Sequence, residues 1–167
     1  VAGAAFPTHK TAMAMSGARE LKDGENSFVV TFTSPEVGGV KLVKTYTIKR
    51  GAYDLAVRHE ITNSGAAAVA PQLYLQLERD GSKPPGESSV YSTFTGPAVY
   101  TEARKYQKIE FSDIKKKKAD YEKQSSNGYV AMVQHYFASA WILPDGVKRD
   151  FSLDAVDTGS SVPDCCY

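Results

Sequence analysis

Two stretches of the sequence alternate apolar and polar residues with a period of two, over 53–62 and over 72–78. In the first stretch Val57, His59 and Ile61 share one face of an extended chain, and their polar neighbours share the other. Alternation of this kind is typical of antiparallel strands that have one buried and one solvated face. Both stretches are therefore predicted to be strands, and the pattern argues against a fold built mainly from helices.

Further segments rich in β-branched and aromatic residues are separated by turn residues. The short Arg50-Gly51-Ala52 loop joins the segment 41–49 to 53–62, which predicts a hairpin. The apolar stretch 129–143 is too long for one typical strand and is predicted to split near His135 into two. The other predicted strands are 27–33, 90–95, 98–101, 106–111 and 151–156.

The pattern as a whole predicts an all-β, mostly antiparallel fold, with a sandwich as the favoured architecture. The best helical candidate, 112–123, is polar almost all round and is not a persuasive amphipathic helix. We interpret residues 1–26 as an irregular lead-in, 27–156 as the β domain and 157–167 as a C-terminal tail.

The charge balance and the cysteines limit the function classes. The 20 Lys and Arg residues nearly balance the 19 Asp and Glu residues, whereas a nucleic-acid-binding domain is normally strongly basic. No apolar run approaches the roughly 18 residues of a membrane-spanning helix, so a soluble piece is expected. Cys165 and Cys166 are adjacent, a spacing that neither zinc sites nor redox motifs use.

Motifs of enzymes and cofactor-binding proteins are missing from the sequence. It contains no Gly-rich dinucleotide or phosphate loop and no nucleophile elbow. His9, His59 and His135 lack metal-ligand spacing, and the last two are interpreted as structural. Glu60 and Glu78 fall on polar strand faces, where carboxylates are normally solvated. We therefore predict no catalytic, cofactor-binding or metal-binding residue and no enzymatic activity.

Residues 104–123 form the main charge feature, with eight basic and four acidic residues. Its centre is a run of four lysines: Lys115, Lys116, Lys117 and Lys118. The favoured interpretation is a solvated, partly mobile connector, because acidic residues interleave the basic ones. The functional alternative is contact with anionic lipid headgroups, which attract surface lysines.

Aromatic residues concentrate in the loop-rich region after residue 90, and Tyr supplies 10 of the aromatic residues of the chain. Tyrosine is enriched where one end of a side chain is buried and the other is wet, as in clefts and interfaces. The candidate partner or cleft surface consists of Tyr91, Phe94, Tyr100, Tyr106 and Phe111.

The segment 128–142, GYVAMVQHYFASAWI, closely resembles a segment late in the periplasmic domain of the bacterial YidC insertases of the YidC/Oxa family. Three other stretches resemble the same domain in the same order. They are the strand-turn-strand 44–53, the QLYLQLER stretch 72–79, and TFTGPAVY at 93–100 followed by Lys105-Tyr106. The matches extend over 28–153, about three-quarters of the chain.

This resemblance implies a β-supersandwich similar to that of galactose mutarotases, in truncated form, since residues 154–167 match nothing in the family. It implies a place in the periplasm, as part of a bacterial inner-membrane protein whose membrane-spanning segments lie outside this sequence. The implied role is non-enzymatic help with the insertion and folding of membrane proteins. The implied partners are accessory subunits of the Sec translocon and nascent membrane proteins, with weak anionic lipid contact and no nucleic acid.

The likeness to mutarotases leaves a second hypothesis open, a carbohydrate-binding or mutarotase-like sugar-active protein. That chemistry needs a histidine acting with a carboxylate across a cleft. The sequence offers His135 or His59 with Glu78 as the pairing. Because a shared fold does not imply a shared function, the geometry of the site has to decide between the two hypotheses.

Overall fold

The computed structural model describes residues 6–82, 86, 93–156 and 164–165. Antiparallel strands dominate this part of the chain, which confirms the predicted all-β, mostly antiparallel fold class. The chain divides into two compact units, Val1–Tyr74 and Leu75–Tyr167. Within the described ranges, no helix is long and apolar enough to cross a membrane.

The first unit contains a four-stranded antiparallel meander. Its strands, in sheet order, are β1 (Ala14–Gly17), β2 (Ser27–Thr33), β3 (Val40–Lys49) and β4 (Leu55–Asn63). The predicted strand 27–33 and the predicted hairpin before and after Gly51 are confirmed. Val57, His59 and Ile61 are half-buried between exposed neighbours, as the alternation predicts. The lead-in was expected to be irregular, but it contains β1, which pairs with β2.

The second unit contains the remaining elements. They are β5 (Arg79–Asp80), β6 (Thr95–Thr101), β7 (Lys105–Lys108), α1 (Phe111–Lys115), β8 (Gln124–Ser125), β9 (Tyr129–Gln134), β10 (Phe137–Ile142), β11 (Arg149–Asp150), β12 (Ala155–Val156) and β13 (Asp164–Cys165). Four of them form an antiparallel sheet in the order β10-β9-β6-β7. The shortest strands form a two-stranded sheet, β11-β8, and a three-stranded sheet, β12-β13-β5.

The hairpin formed by β9 and β10 confirms the predicted division of the stretch 129–143. Its loop is His135-Tyr136, and Gln134 pairs with Phe137 directly across it. His135 has a φ of 50°, the sign that two-residue hairpin turns require at their first loop position.

The core of the second unit lies against one face of this sheet. Val99 from β6 is fully buried and packs with Ile109, Ile114 and Leu153. α1 is short, and Ile114 is its buried residue. The core therefore draws on the sheet, the helix and the chain that follows β11.

Some predicted strands are wrong. Residues 72–78 are not a strand, and Leu73 and Tyr74 are 44% and 43% exposed. The apolar-polar alternation there suits a sheet, but within the described residues no ladder pairs with this stretch, and β5 begins only at Arg79. Of the predicted strand 151–156, only β12 is a strand. The predicted strand 106–111 corresponds to β7, which ends at Lys108, and α1 begins at Phe111. The predicted strand 90–95 lies largely outside the described residues.

Candidate functional site

Three tyrosines form a row across the second-unit sheet. Tyr100 of β6 lies opposite Tyr129 of β9 on one side and Tyr106 of β7 on the other. Directly paired residues of neighbouring strands point to the same face of a sheet. The Tyr100 and Tyr129 rings are stacked, with centroids 5.3 Å apart and an interplanar angle of 13°. We call these three residues the tyrosine row.

A loop between β8 and β9 allows this stacking. Gly128 precedes Tyr129 and has a φ of 89°, in the region that favours glycine. A Cβ at Gly128 would overlap the carbonyl oxygen of Tyr100. Glycine is therefore required here, because the backbone of Gly128 passes directly against that of Tyr100.

Charged groups hold the central tyrosine of the row. The Tyr100 hydroxyl donates to Glu102 Oε1 at 3.0 Å, and Lys105 Nζ donates to Glu102 Oε2 at 2.8 Å. The hydrogen bond to Glu102 raises the pKa of Tyr100, and burial raises the pKa of Tyr106. The Lys105 ammonium lowers the pKa of Glu102. The Tyr100 and Tyr106 hydroxyls are therefore protonated at neutral pH, and the Glu102 carboxylate beside Tyr100 is already paired.

Small residues lie beside the tyrosine row on the same face. Ala98 of β6 and its partner Ala131 of β9 are buried, at 0% and 4% exposure. Beyond them Phe94 packs on Gly96, where an added Cβ would lie 3.0 Å from the ring. Lys108 Nζ lies 5.3 Å from the centroid of the Phe94 ring, a cation–π distance. On this face the small residues Ala98 and Ala131 form a floor, with the tyrosine row on one side and Phe94 as the aromatic border on the other.

The structure brings together part of the predicted surface. Phe94, Tyr100 and Tyr106 share this face, whereas Phe111 packs against the core cluster of Val99 and is half-buried there. Tyr91 lies outside the described residues. We define the tyrosine face as the row together with its floor and aromatic border, namely Tyr100, Tyr106, Tyr129, Ala98, Ala131, Phe94 and Lys108.

Sequence reasoning missed Tyr129 as a member of this face. The residue was assigned only to a predicted apolar strand, and its place in the row depends on the register between β6 and β9. Residues 29 positions apart in the chain become neighbours through that register. The pairing Tyr100–Tyr106 is local, across a short turn, and this is the part that the clustering of aromatics indicated.

The lysine run is exposed at the end of α1. The amide of Lys118 donates to Asp113 O at 2.8 Å and that of Lys117 to Ile114 O at 2.9 Å, which is a Schellman motif. All four of Lys115, Lys116, Lys117 and Lys118 are exposed. Within the part of the chain that the structure describes, none of them forms an ion pair.

The interpretation of 104–123 as a solvated, partly mobile connector needs one correction: most of the segment is exposed, but two of its residues are buried, and its mobility stays a prediction. The segment contributes Ile109 and Ile114 to the core, each 4% exposed. Arg104 donates twice to the Asp120 carboxylate, at 2.8 and 2.7 Å, and these bonds lower the pKa of Asp120. The lysine run therefore lies on the surface of a segment that is fixed by the buried Ile109 and Ile114 and by the ion pair of Arg104 with Asp120.

His135 and Glu78, a pairing that the sugar-active hypothesis uses, each bond to another side chain. His135 Nδ1 bonds to the Thr93 hydroxyl at 2.9 Å, and Glu78 accepts a bond from the Gln76 amide at 3.1 Å. His59 belongs to the other unit, where burial and nearby Lys44 lower its pKa. Among the described residues, no group of three or more His, Cys, Asp or Glu side chains could hold a metal ion.

Comparison with known proteins gives one consistent family. The family model described as YidC periplasmic domain matches residues 1–163. A Membrane protein insertase YidC of Bordetella avium is 53% identical over 153 residues, covering 91% of this chain and 27% of the relative. Proteins of the same name from Cupriavidus metallidurans and Burkholderia cenocepacia are 50% and 49% identical over 156 and 158 residues. Each alignment covers 93% of this chain and 28% of the relative.

These matches confirm the resemblance drawn from the four sequence stretches. The expectation that residues 154–167 match nothing in the family is wrong for 154–163, because the family model extends to residue 163. The matches support the insertase hypothesis and not the sugar-active alternative, because the relatives are named as insertases. The chain spans about a quarter of the length of these relatives, between 27% and 28%.

Proposed function

The chain belongs to the YidC periplasmic domain family, and from this premise we propose that it is the periplasmic part of a membrane protein insertase. In this role it assists the insertion and folding of inner-membrane proteins through contacts and not through catalysis. It lies in the periplasm, attached to the inner membrane by parts of the longer protein.

The tyrosine face is the observation that supports a contact role. It combines apolar rings, neutral hydroxyls and flanking ammonium groups, and Tyr106 is 44% exposed on it. Aromatic residues that expose one polar end are enriched at protein interfaces, where their large area contributes strongly to binding. Accessory subunits of the Sec translocon are the proposed partners of this face, and nascent membrane proteins are the proposed clients of the insertase.

Site-specific photocrosslinking tests the partner assignment. A photoreactive phenylalanine analogue replaces Tyr106 in the complete protein that contains this chain, and cells are irradiated. We expect an adduct that contains a Sec translocon subunit. The matched control places the same analogue at Tyr53, a fully exposed tyrosine of the first unit. Equal adducts at both positions, or none at Tyr106, would exclude the tyrosine face as the contact surface.

The lysine run supports a second, weaker contact with anionic lipid. Each lysine near an anionic bilayer surface contributes about 1 kcal/mol, and the attraction decays over a Debye length of about 8 Å at physiological salt. Lys115, Lys116, Lys117 and Lys118 together would therefore give weak, salt-sensitive binding. For a domain already tethered to the membrane, such weak binding is sufficient because its effective concentration is high.

A further inference from the structure

β10 is an apolar edge strand. Within the described ranges it is the outer strand of the sheet β10-β9-β6-β7, and no strand pairs with its outer side. Its sequence, Phe137-Ala138-Ser139-Ala140-Trp141-Ile142, contains no charged residue. Phe137 and Ile142 are 75% and 73% exposed, and Tyr136, which precedes Phe137, is 86% exposed.

The register determines which backbone groups of β10 face outward. A two-residue loop makes Gln134 and Phe137 a hydrogen-bonded pair, and such pairs alternate with non-hydrogen-bonded ones along the ladder. Ala138, Ala140 and Ile142 are then the residues whose N–H and C=O groups point away from β9. The Ile109 amide donating to Pro97 O at 3.0 Å fits the same alternation two strands away.

The opposite edge of the sheet carries lysines, and β10 carries none. β7 carries Lys105 and Lys108, both exposed, and lysines on an edge strand discourage pairing with another chain. β10 presents three outward donor–acceptor pairs between uncharged, mostly apolar side chains. An edge of this kind is suited to the addition of an extended strand, in which the main chain supplies affinity and alternate side chains supply selectivity.

We infer that β10 binds an extended, uncharged, apolar segment of a membrane protein in transit, by antiparallel or parallel strand addition. This rests on the proposed function, because an insertase domain meets such segments before they enter the bilayer. The absence of charge along β10 matches a segment that is itself nearly free of charge. Strand addition satisfies the backbone of the segment, and the exposed Phe137 and Ile142 cover its apolar side chains.

Disulfide capture tests this inference in the complete protein that contains this chain. The probe is a ribosome-bound nascent chain of a single-span membrane protein with one cysteine in its apolar segment. The protein carries Ala138→Cys on β10, and the matched control carries Lys108→Cys on the opposite edge β7. Mild oxidation should give an adduct with the nascent chain at position 138 that is about fivefold stronger than at 108.

A second substitution separates strand addition from general stickiness. Ala140→Pro removes one outward donor and is compatible with an edge strand, because that N–H does not pair with β9. Combined with Ala138→Cys, it should reduce capture about fivefold, the effect of losing a hydrogen bond of about 1 kcal/mol. Ala140→Lys, which places on β10 the kind of residue that β7 carries, should act in the same direction. Circular dichroism verifies that each variant is folded.

Four results would overturn the inference. Equal capture at the two edges, or capture that Ala140→Pro and Ala140→Lys leave unchanged, would show that the contact is not strand addition. A disulfide-linked pair of chains would show that a second copy occupies β10. A crosslink within the same protein without the nascent chain would show that another of its segments covers the edge. In each case an adduct at Tyr106 would still support the proposed function, whereas its loss would count against that function alone.

Discussion

Arg149 is a buried cation held by backbone carbonyls. It is 7% exposed, and it donates hydrogen bonds of 2.6–3.2 Å to the carbonyl oxygens of Ser126, Gly128, Leu143, Pro144 and Val147. The planar guanidinium has five donors and can bond to all of these carbonyls, whereas the ammonium of a lysine has three donors on one nitrogen and cannot. Because one acceptor belongs to Gly128, Arg149 also fixes the loop from which Tyr129 enters the tyrosine row.

Replacing Arg149 by lysine is therefore expected to destabilise the domain. Several carbonyls lose their donors in a buried place, and each unsatisfied group costs about 1–3 kcal/mol, so a total loss of about 3 kcal/mol is expected. Urea denaturation measures the change. Arg58→Lys is the matched control, since the Arg58 side chain is 74% exposed in a surface ion pair, and its loss should change stability by less than about 0.5 kcal/mol. Equal effects of the two substitutions would contradict the role assigned to Arg149.

His59 makes stability depend on pH in a defined direction. Burial first, and then Lys44 on the neighbouring strand, lower its pKa from 6.5. The unfolded chain then binds a proton at a pH where the folded chain does not, so the free energy of unfolding falls as the pH drops below about 6.5. His59→Gln should flatten this dependence below about pH 6.5.

Denaturation curves at several pH values measure the His59 effect. Lys44→Gln is the second variant, because it removes a charge but keeps the histidine, and it should reduce the slope only in part. An unchanged slope in His59→Gln would show that other groups cause the loss of stability at low pH.

At the scale of elements, the end of α1 contains a residue in a costly conformation. Lys117 has a φ of 55° at the position after the helix cap, where glycine is the usual residue. A left-handed conformation costs a non-glycine residue about 1 kcal/mol. Lys117→Gly is therefore expected to stabilise the domain by up to about 1 kcal/mol.

Lys116→Gly is the control for that substitution. Lys116 caps α1 with a φ of −82°, in the right-handed region, so glycine gains nothing there and adds freedom to the unfolded chain. Thermal unfolding of the two variants should shift in opposite directions. A lower melting temperature in both would contradict the idea that strain at Lys117 limits stability.

Elements with local signals were predictable from the sequence. β2, β3 and the β9–β10 hairpin follow from alternation and from turn residues a few positions away. β1 was missed because Ala14–Gly17 has no apolar pattern, and its strand state comes from pairing with β2. Residues 72–78 have the pattern, but within the described ranges no strand pairs with them. A strand is specified jointly by its own sequence and by the strand with which it pairs, even when the two are far apart in the chain.

The candidate site shows the same division at the scale of the molecule. The clustering of aromatic residues in the sequence indicated Phe94, Tyr100 and Tyr106. Tyr129 joins this face through the register of β6 with β9, whereas Phe111 packs against the core instead. The predicted boundaries after residues 26 and 156 stay a prediction, and the contacts divide the chain after Tyr74. Surface composition is thus predictable, but which side chains share a face depends on long-range pairing.

The distribution of exposed lysines gives the last prediction. Replacing Lys115, Lys116, Lys117 and Lys118 with glutamine should abolish most binding to liposomes that contain anionic lipid, because the four exposed ammonium groups act together. Co-sedimentation at low and high salt measures binding, which should disappear near 1 M salt, where the Debye length is about 3 Å. The matched control changes four exposed lysines of the first unit by the same charge: Lys10, Lys22, Lys41 and Lys49. If the control lowers binding equally, net charge and not the lysine run attracts the lipid; binding that survives high salt would exclude an electrostatic contact.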